Sequence, residues 1–162
     1  MRLHHSEEKN KISIVVPAYN EEQTLPTLIE RLVQTLKENN IQGEIIIVND
    51  GSTDETAKKA EELSKKYANI RVFHHKRRME KTAALHTGFE KASGEILAMI
   101  DADLQYAPED LPKLLTKIHQ GHDVVNGWRK HRKDSVLKKT PSSIYNFISR
   151  VSFGMKIHDF NS

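Results

Sequence analysis

The run Ile45-Ile46-Ile47-Val48-Asn49-Asp50-Gly51-Ser52-Thr53-Asp54 decides the reading of the fold. Four consecutive branched aliphatic residues make a strand covered on both faces. The polar residues after it end the strand. Ser52-Thr53-Asp54-Glu55 has the form of a capping box, with Ser52 as N-cap and Glu55 reaching back. The helix it opens would turn Ala57, Ala60, Leu63, Ser64 and Tyr67 inward. Upstream, Ile12, Ile14, Val15 and Val16 form a similar run closed by Pro17. Leu25, Leu28, Ile29, Leu32, Val33 and Leu36 then recur at helical spacing.

Downstream the alternation continues. Ile70 to Phe73 predicts a third strand, and Leu85, Gly88, Phe89 and Ala92 the inner stripe of a third helix. Glu95 to Ile100 predicts a fourth, buried strand. Leu111, Leu114, Leu115 and Ile118 predict a fourth helix begun at Pro108, and Asp123 to Val125 a short fifth strand. The fold class is therefore α/β, a mostly parallel sheet with helices on both faces. Three regions are expected: a polar, disordered tail over 1–10, an α/β core over 11–125, and a basic region over 126–162.

The 162 residues suffice for one ordinary domain. No cysteine is present, which excludes disulfide scaffolds, thiolate zinc sites and Cys nucleophiles. Apolar runs fall far short of the ~20 residues that span a bilayer. The polar opening Met1 to Lys11 has no secretory-signal core, and the ending Asp159-Phe160-Asn161-Ser162 reads as a cut through a larger protein. The net charge of +3 is too small to name a partner by itself.

In an open parallel sheet, ligands bind beyond the carboxyl ends of the strands. Three polar segments are expected there: Pro17-Ala18-Tyr19-Asn20-Glu21, Asn49 to Asp54, and Asp101-Ala102-Asp103-Leu104-Gln105. Asp and Asn commonly end strands and cap helices, and Ser52 and Asp54 need do no more. Asp101 and Asp103 ask for more, because neighbouring carboxylates repel unless a cation or donor lies between them. With the amide of Gln105 they offer hard oxygen ligands suited to Mg²⁺ or Mn²⁺.

These three segments, in this order, resemble glycosyltransferase family 2 and its GT-A fold. Asn126-Gly127-Trp128-Arg129, with Arg132, Asp134 and His158-Asp159-Phe160, resembles its polyprenyl-phosphate sugar transferase branch. The resemblance implies that Pro17, Tyr19 and Glu21 hold base and ribose, and that Asp50 reads the base. It implies that Asp101 and Asp103 bind the diphosphate through the metal, with Gln105 as a further contact. Lys81 matches a basic donor-site residue, although Met79-Glu80-Lys81 stands where the family has a glycine.

The activity implied is metal-dependent, inverting transfer of a hexose from a nucleotide sugar, UDP favoured over GDP, to a polyprenyl phosphate. Asp103, Arg129 and Arg132 are the residues expected to carry catalysis, with Arg129 and Arg132 cradling the acceptor phosphate. A solvated basic loop, or one drawn to anionic lipid headgroups, is the plainer reading of that cluster. The parent protein is expected at the cytoplasmic face of a membrane, this chain soluble and weakly active by itself, and self-association is left open. Alternatives are a family 2 enzyme acting on a saccharide hydroxyl and a non-catalytic nucleotide-binding module. Nucleic acid is not expected, because acidic strand ends oppose a phosphate backbone. The nine histidines show no metal-binding spacing; His4 and His5 fall in the tail, and His74, His86, His119 and His122 read as surface or packing residues.

Overall fold

A computed structural model describes residues 11–127. Strands and helices alternate as β1 (Ile12–Ala18), α1 (Leu25–Glu38), β2 (Gly43–Asn49), α2 (Thr56–Lys66), β3 (Ile70–His74), α3 (Glu80–Lys91) and β4 (Ile96–Met99). A 3₁₀ turn, Pro108–Asp110, then runs into α4 (Leu111–His119). The chain divides into two compact units after Pro112, and everything said below of the sheet and the site concerns the first. The described part of the second, 113–127, holds the rest of α4 and no strand.

The sheet is parallel, in the order β3-β2-β1-β4. The chain builds outward from β1 through β2 to β3, then crosses to the other side of β1 for β4. Right-handed crossovers put α1 and α2 on one face and α3 on the other. Strand side chains alternate accordingly. Val15, Ile46 and Val48 close over Ala84 of α3, with Phe73, Leu85, Phe89 and Ala92 around them. Gly88 lets α3 sit this close: a Cβ there would lie 2.3 Å from Cγ1 of Val15. On α1 the expected stripe is buried, with Leu25, Leu28, Ile29, Leu32 and Leu36 inward and Val33 at its margin.

Three local expectations are corrected. The capping box at Ser52 does not form, since α2 begins only at Thr56. Ser52 Oγ instead accepts the Asn20 N–H at 3.0 Å, and the Glu55 N–H donates to Glu22 Oε2 at 2.9 Å. Asp54 Oδ1 accepts the Thr56 N–H at 3.0 Å. The turn ties the loop after β1 to the loop after β2, so the polar groups a cap would use are spent across the chain. Second, β4 is not a buried strand but a sheet edge among the described residues, with Leu97 51% and Met99 45% exposed. Third, Asp123 to Val125 forms no strand; Val124 is 86% exposed, and two valines bury too little there to hold a ladder.

At the amino end of the sheet, opposite the site, Glu44 is buried in a polar knot. Its Oε1 accepts the Ser13 hydroxyl, the Ser93 hydroxyl and the Ser93 N–H, each at 2.7 Å, and Oε2 meets Arg71 at 3.1 Å. Burial works against the charge, but the hydrogen bonds from Ser93 and Ser13 and from Arg71 outweigh it and pull the carboxyl from 4.5 down to about 2. A folded value below the unfolded one stabilises the fold above pH 4.5, and that contribution is lost as pH falls toward 2. Glu44→Gln should therefore cost about 2–3 kcal/mol at pH 7 in urea unfolding, because it sets an amide against donors that need an acceptor. The gap between the two proteins should narrow steadily below pH 4.5. A gap that stays constant down to pH 3 refutes the ionised knot.

Candidate functional site

The strand order reverses beside β1, and a crevice opens where neighbouring strands send their chains to opposite faces. Here that point lies between the carboxyl ends of β1 and β4. Pro17 lies at the carboxyl end of β1 and Tyr19 and Glu21 follow it, Asp50 follows β2, and Asp101 and Asp103 follow β4; all six line one cleft. Lys81, from the first turn of α3, completes the expected set, and Arg78, Glu80 and Ala84 join it. Gln105 does not line the cleft; its backbone N–H donates to Asp103 Oδ1 at 3.0 Å. Arg129 and Arg132, and the tail over 1–10, lie outside the described residues.

The loops that form the rim are laced to one another. Asn20, at φ +54°, turns its side-chain oxygen to the Thr53 N–H at 2.9 Å, in return for the bond its own N–H makes to Ser52. The Glu21 N–H reaches Thr56 Oγ1 at 2.8 Å, and its carboxylate accepts the Thr24 hydroxyl at 2.6 Å. Gly51, at φ +66°, lies against the Arg77–Arg78 backbone. Outside the cleft lining, Arg31 clamps Glu109 with two hydrogen bonds of 2.8 and 2.6 Å, fixing the 3₁₀ turn to α1. The hydrogen bond to Glu109 and its charge raise the Arg31 guanidinium, and the hydrogen bond from Arg31 and its charge lower the Glu109 carboxyl.

The cleft lining is predominantly acidic, with Glu21, Asp50, Glu80, Asp101 and Asp103 set against Arg78 and Lys81. Lys81 Nζ sits 2.7 Å from Asp101 Oδ1 and 2.9 Å from Oδ2, so the repulsion expected between Asp101 and Asp103 is relieved by an ammonium on one and a backbone N–H on the other. The Arg78 guanidinium lies over the Tyr19 ring, 4.5 Å from its centroid. Asp50, 3% exposed, accepts at Oδ1 from Met79 N–H at 2.8 Å and from His75 Nδ1 at 2.7 Å.

Residues 13–161 match the model of glycosyl transferase family 2. The chain belongs to that family. Among curated relatives of this family 2 chain, it is 38% identical over 159 residues to the undecaprenyl-phosphate 4-deoxy-4-formamido-L-arabinose transferase of Proteus mirabilis, covering 95% of this chain and 48% of that protein. It is 35% identical over 153 residues to the dodecaprenyl-phosphate galacturonate synthase of Rhizobium johnstonii, covering 93% of this chain and 45% of that protein. It thus spans about half the length of these relatives. Among solved structures, the glucosyl-3-phosphoglycerate synthase of Mycobacterium tuberculosis, in complex with Mn²⁺, UDP and glucosyl-3-phosphoglycerate, superposes with a TM-score of 0.55 at 28% identity. That match covers 67% of this chain and 39% of the other. The α/β GT-A fold expected from the sequence is the one observed.

The departure from the family pattern at Met79-Glu80-Lys81 has a physical reading. Glu80 holds φ +71°, the left-handed conformation a glycine adopts without strain. From the next position, Lys81 reaches Asp101. Sequence reasoning missed His75 and Arg78. The available signal was position: β3 ends at His74, so both residues fall on the same carboxyl edge as the three segments that were singled out. His74 behaves as a packing residue, bridging Asn49 at 3.1 Å and Glu61 at 2.8 Å.

Proposed function

We propose that the protein carrying this chain moves a hexose from a nucleotide sugar, UDP-linked in preference to GDP-linked, to a polyprenyl phosphate, inverting the anomeric carbon. The observation that carries this reading is the convergence of six strand-end residues, with Lys81, on one cleft at the switch point of the sheet. Relatives named for undecaprenyl- and dodecaprenyl-phosphate products support the acceptor, and a structural neighbour holding UDP and Mn²⁺ supports the donor.

Within the cleft, Tyr19 offers a flat face to a base and Asp50 an acceptor for a base N–H, while Pro17 and Glu21 frame the ribose. Asp101 and Asp103 fit a hard divalent cation, Mg²⁺ or Mn²⁺: they are carboxylates one residue apart on one wall, and one already has a positive partner. Bound there, the cation supplies positive charge to the diphosphate as the bond to the sugar breaks. Once Asp101 is engaged, Lys81 is free to turn its ammonium to the same diphosphate.

The acceptor is already an anion. Its phosphate oxygen attacks C1 of the sugar from the side opposite the diphosphate, the C1–O bond breaks, and the nucleoside diphosphate leaves with the electron pair. No side chain need remove a proton. Arg129 and Arg132, outside the described residues, are proposed to cradle the incoming phosphate, and the protein to act at the cytoplasmic face of a membrane. No helix among the described residues is long and apolar enough to cross one.

The test is donor and acceptor choice in the intact protein. UDP with Mn²⁺ should bind more tightly than GDP by calorimetry, and sugar from a UDP donor should pass to polyprenyl phosphate, not to an oligosaccharide. Replacing Arg129 with Ala should abolish that transfer. Transfer to the saccharide instead would establish the hydroxyl-acceptor alternative, and nucleotide binding without any transfer the non-catalytic one.

A further inference from the structure

His75 has no part in the chemistry above, yet it is the side chain most tightly joined to the carboxylate expected to read the base. Its side chain is 10% exposed and that of Asp50 is 5% exposed. Nδ1 lies 2.7 Å from Asp50 Oδ1, and Nε2 lies 3.0 Å from the hydroxyl of Thr87 on α3. A carboxylate only accepts, so Nδ1 carries the proton and Nε2 is left to the Thr87 hydroxyl. The Met79 N–H donates to the same Asp50 oxygen. Oδ1 is thereby saturated. Oδ2 makes no hydrogen bond among the described residues, and Asp50 lines the cleft.

We propose that His75 is a positioning residue: braced by Thr87, it turns Asp50 into a fixed one-oxygen acceptor, so the cleft selects bases that present a ring N–H. Uracil and guanine offer that N–H on the pairing edge. Cytosine and adenine present a ring lone pair there, which would face the lone pairs of Oδ2 with no proton between them. This rests on the nucleotide reading of the cleft and adds a residue and a selection rule to it. A mobile carboxylate would discriminate less, because it can rotate away from the mismatched edge.

The experiment is calorimetry of the full chain with UDP, CDP and pyrophosphate, each with Mn²⁺, on the unaltered protein and on His75→Ala, His75→Asn and Thr87→Val. The unaltered protein should prefer UDP to CDP by about tenfold or more, the worth of one well-made hydrogen bond to a charged group. His75→Ala should weaken UDP about tenfold, leave pyrophosphate unchanged, and bring the UDP-to-CDP ratio close to one. His75→Asn places an amide N–H near Oδ1 and should restore most of the ratio, and Thr87→Val should give an intermediate value. An unchanged ratio in His75→Ala overturns the proposal, as does equal loss of UDP and pyrophosphate, which marks a structural role alone. Should His75→Ala fail to fold, Thr87→Val decides on the same ratio. If the unaltered protein binds pyrophosphate but no nucleotide better, the nucleotide reading falls and this proposal with it; if it binds UDP selectively and the variants match it, only this proposal falls.

Discussion

Gly51→Ala should abolish measurable UDP binding and lower the melting temperature by roughly 10–20 °C, the shift expected for a loss of several kcal/mol in a domain of this size. Two independent costs combine. The residue sits at φ +66°, where a Cβ costs about 1–2 kcal/mol. The added carbon would also lie 2.4 Å from the carbonyl carbon of Arg77 and 2.6 Å from the nitrogen of Arg78. Those are backbone atoms, with no rotamer to escape into, and relief by moving the segment adds overpacking strain of about 1–3 kcal/mol. The segment that must move also carries the Met79 N–H bonded to Asp50 and the Arg78 guanidinium that covers Tyr19. Stability and binding therefore fail together. Gly127→Ala is the stability control, because a Cβ there meets nothing within 4 Å. A Gly51→Ala protein that melts normally and binds UDP would remove the loop contact from any account of the site.

That contact also marks where sequence reading stops. The strand runs Ile12 to Val16 and Ile45 to Val48, and the stripe of α1, were legible because burial on a strand or a helix leaves a periodic trace. So was the convergence of Tyr19, Asp50 and Asp101, since a parallel sheet brings its carboxyl strand ends to one edge wherever they fall in the chain. What the sequence could not show were pairings between loops. Ser52-Thr53-Asp54-Glu55 has the composition of a cap, and only the approach of Asn20 and Glu22 diverts it into a clasp. His75 is silent for the same reason: its partners lie 25 residues upstream and 12 downstream, at no period that a helix or strand would repeat. The edge position of β4 among the described residues was missed because Ile96 to Met99 is as apolar as a covered strand, and topology, not composition, decides which described strand is outermost.

Asp103→Asn should reduce sugar transfer by the intact protein about a thousandfold, the scale seen when a preorganised electrostatic contact to a developing charge is deleted. The substitution is nearly isosteric, Asp103 is exposed, and the Asn side-chain oxygen still accepts the Gln105 N–H, so the fold should melt unchanged. Asp101 behaves differently. Its carboxylate balances Lys81 at 2.7 Å, and Asp101→Asn would leave that ammonium without its anion inside the cleft. The two variants therefore separate two roles. Both should weaken Mn²⁺ binding in a titration without nucleotide, since each removes one hard anionic ligand. With metal absent, Asp103→Asn should bind UDP much as the unaltered protein does. Asp101→Asn should bind it more tightly, because the freed Lys81 meets the diphosphate with no carboxylate competing for it. Such an inversion, tighter metal-free nucleotide binding alongside lost transfer, is difficult to produce by general damage to the cleft. If Asp101→Asn weakens UDP without metal, Lys81 faces the carboxylate for structural reasons alone; if Asp103→Asn keeps full transfer, the acidic pair is not the metal site.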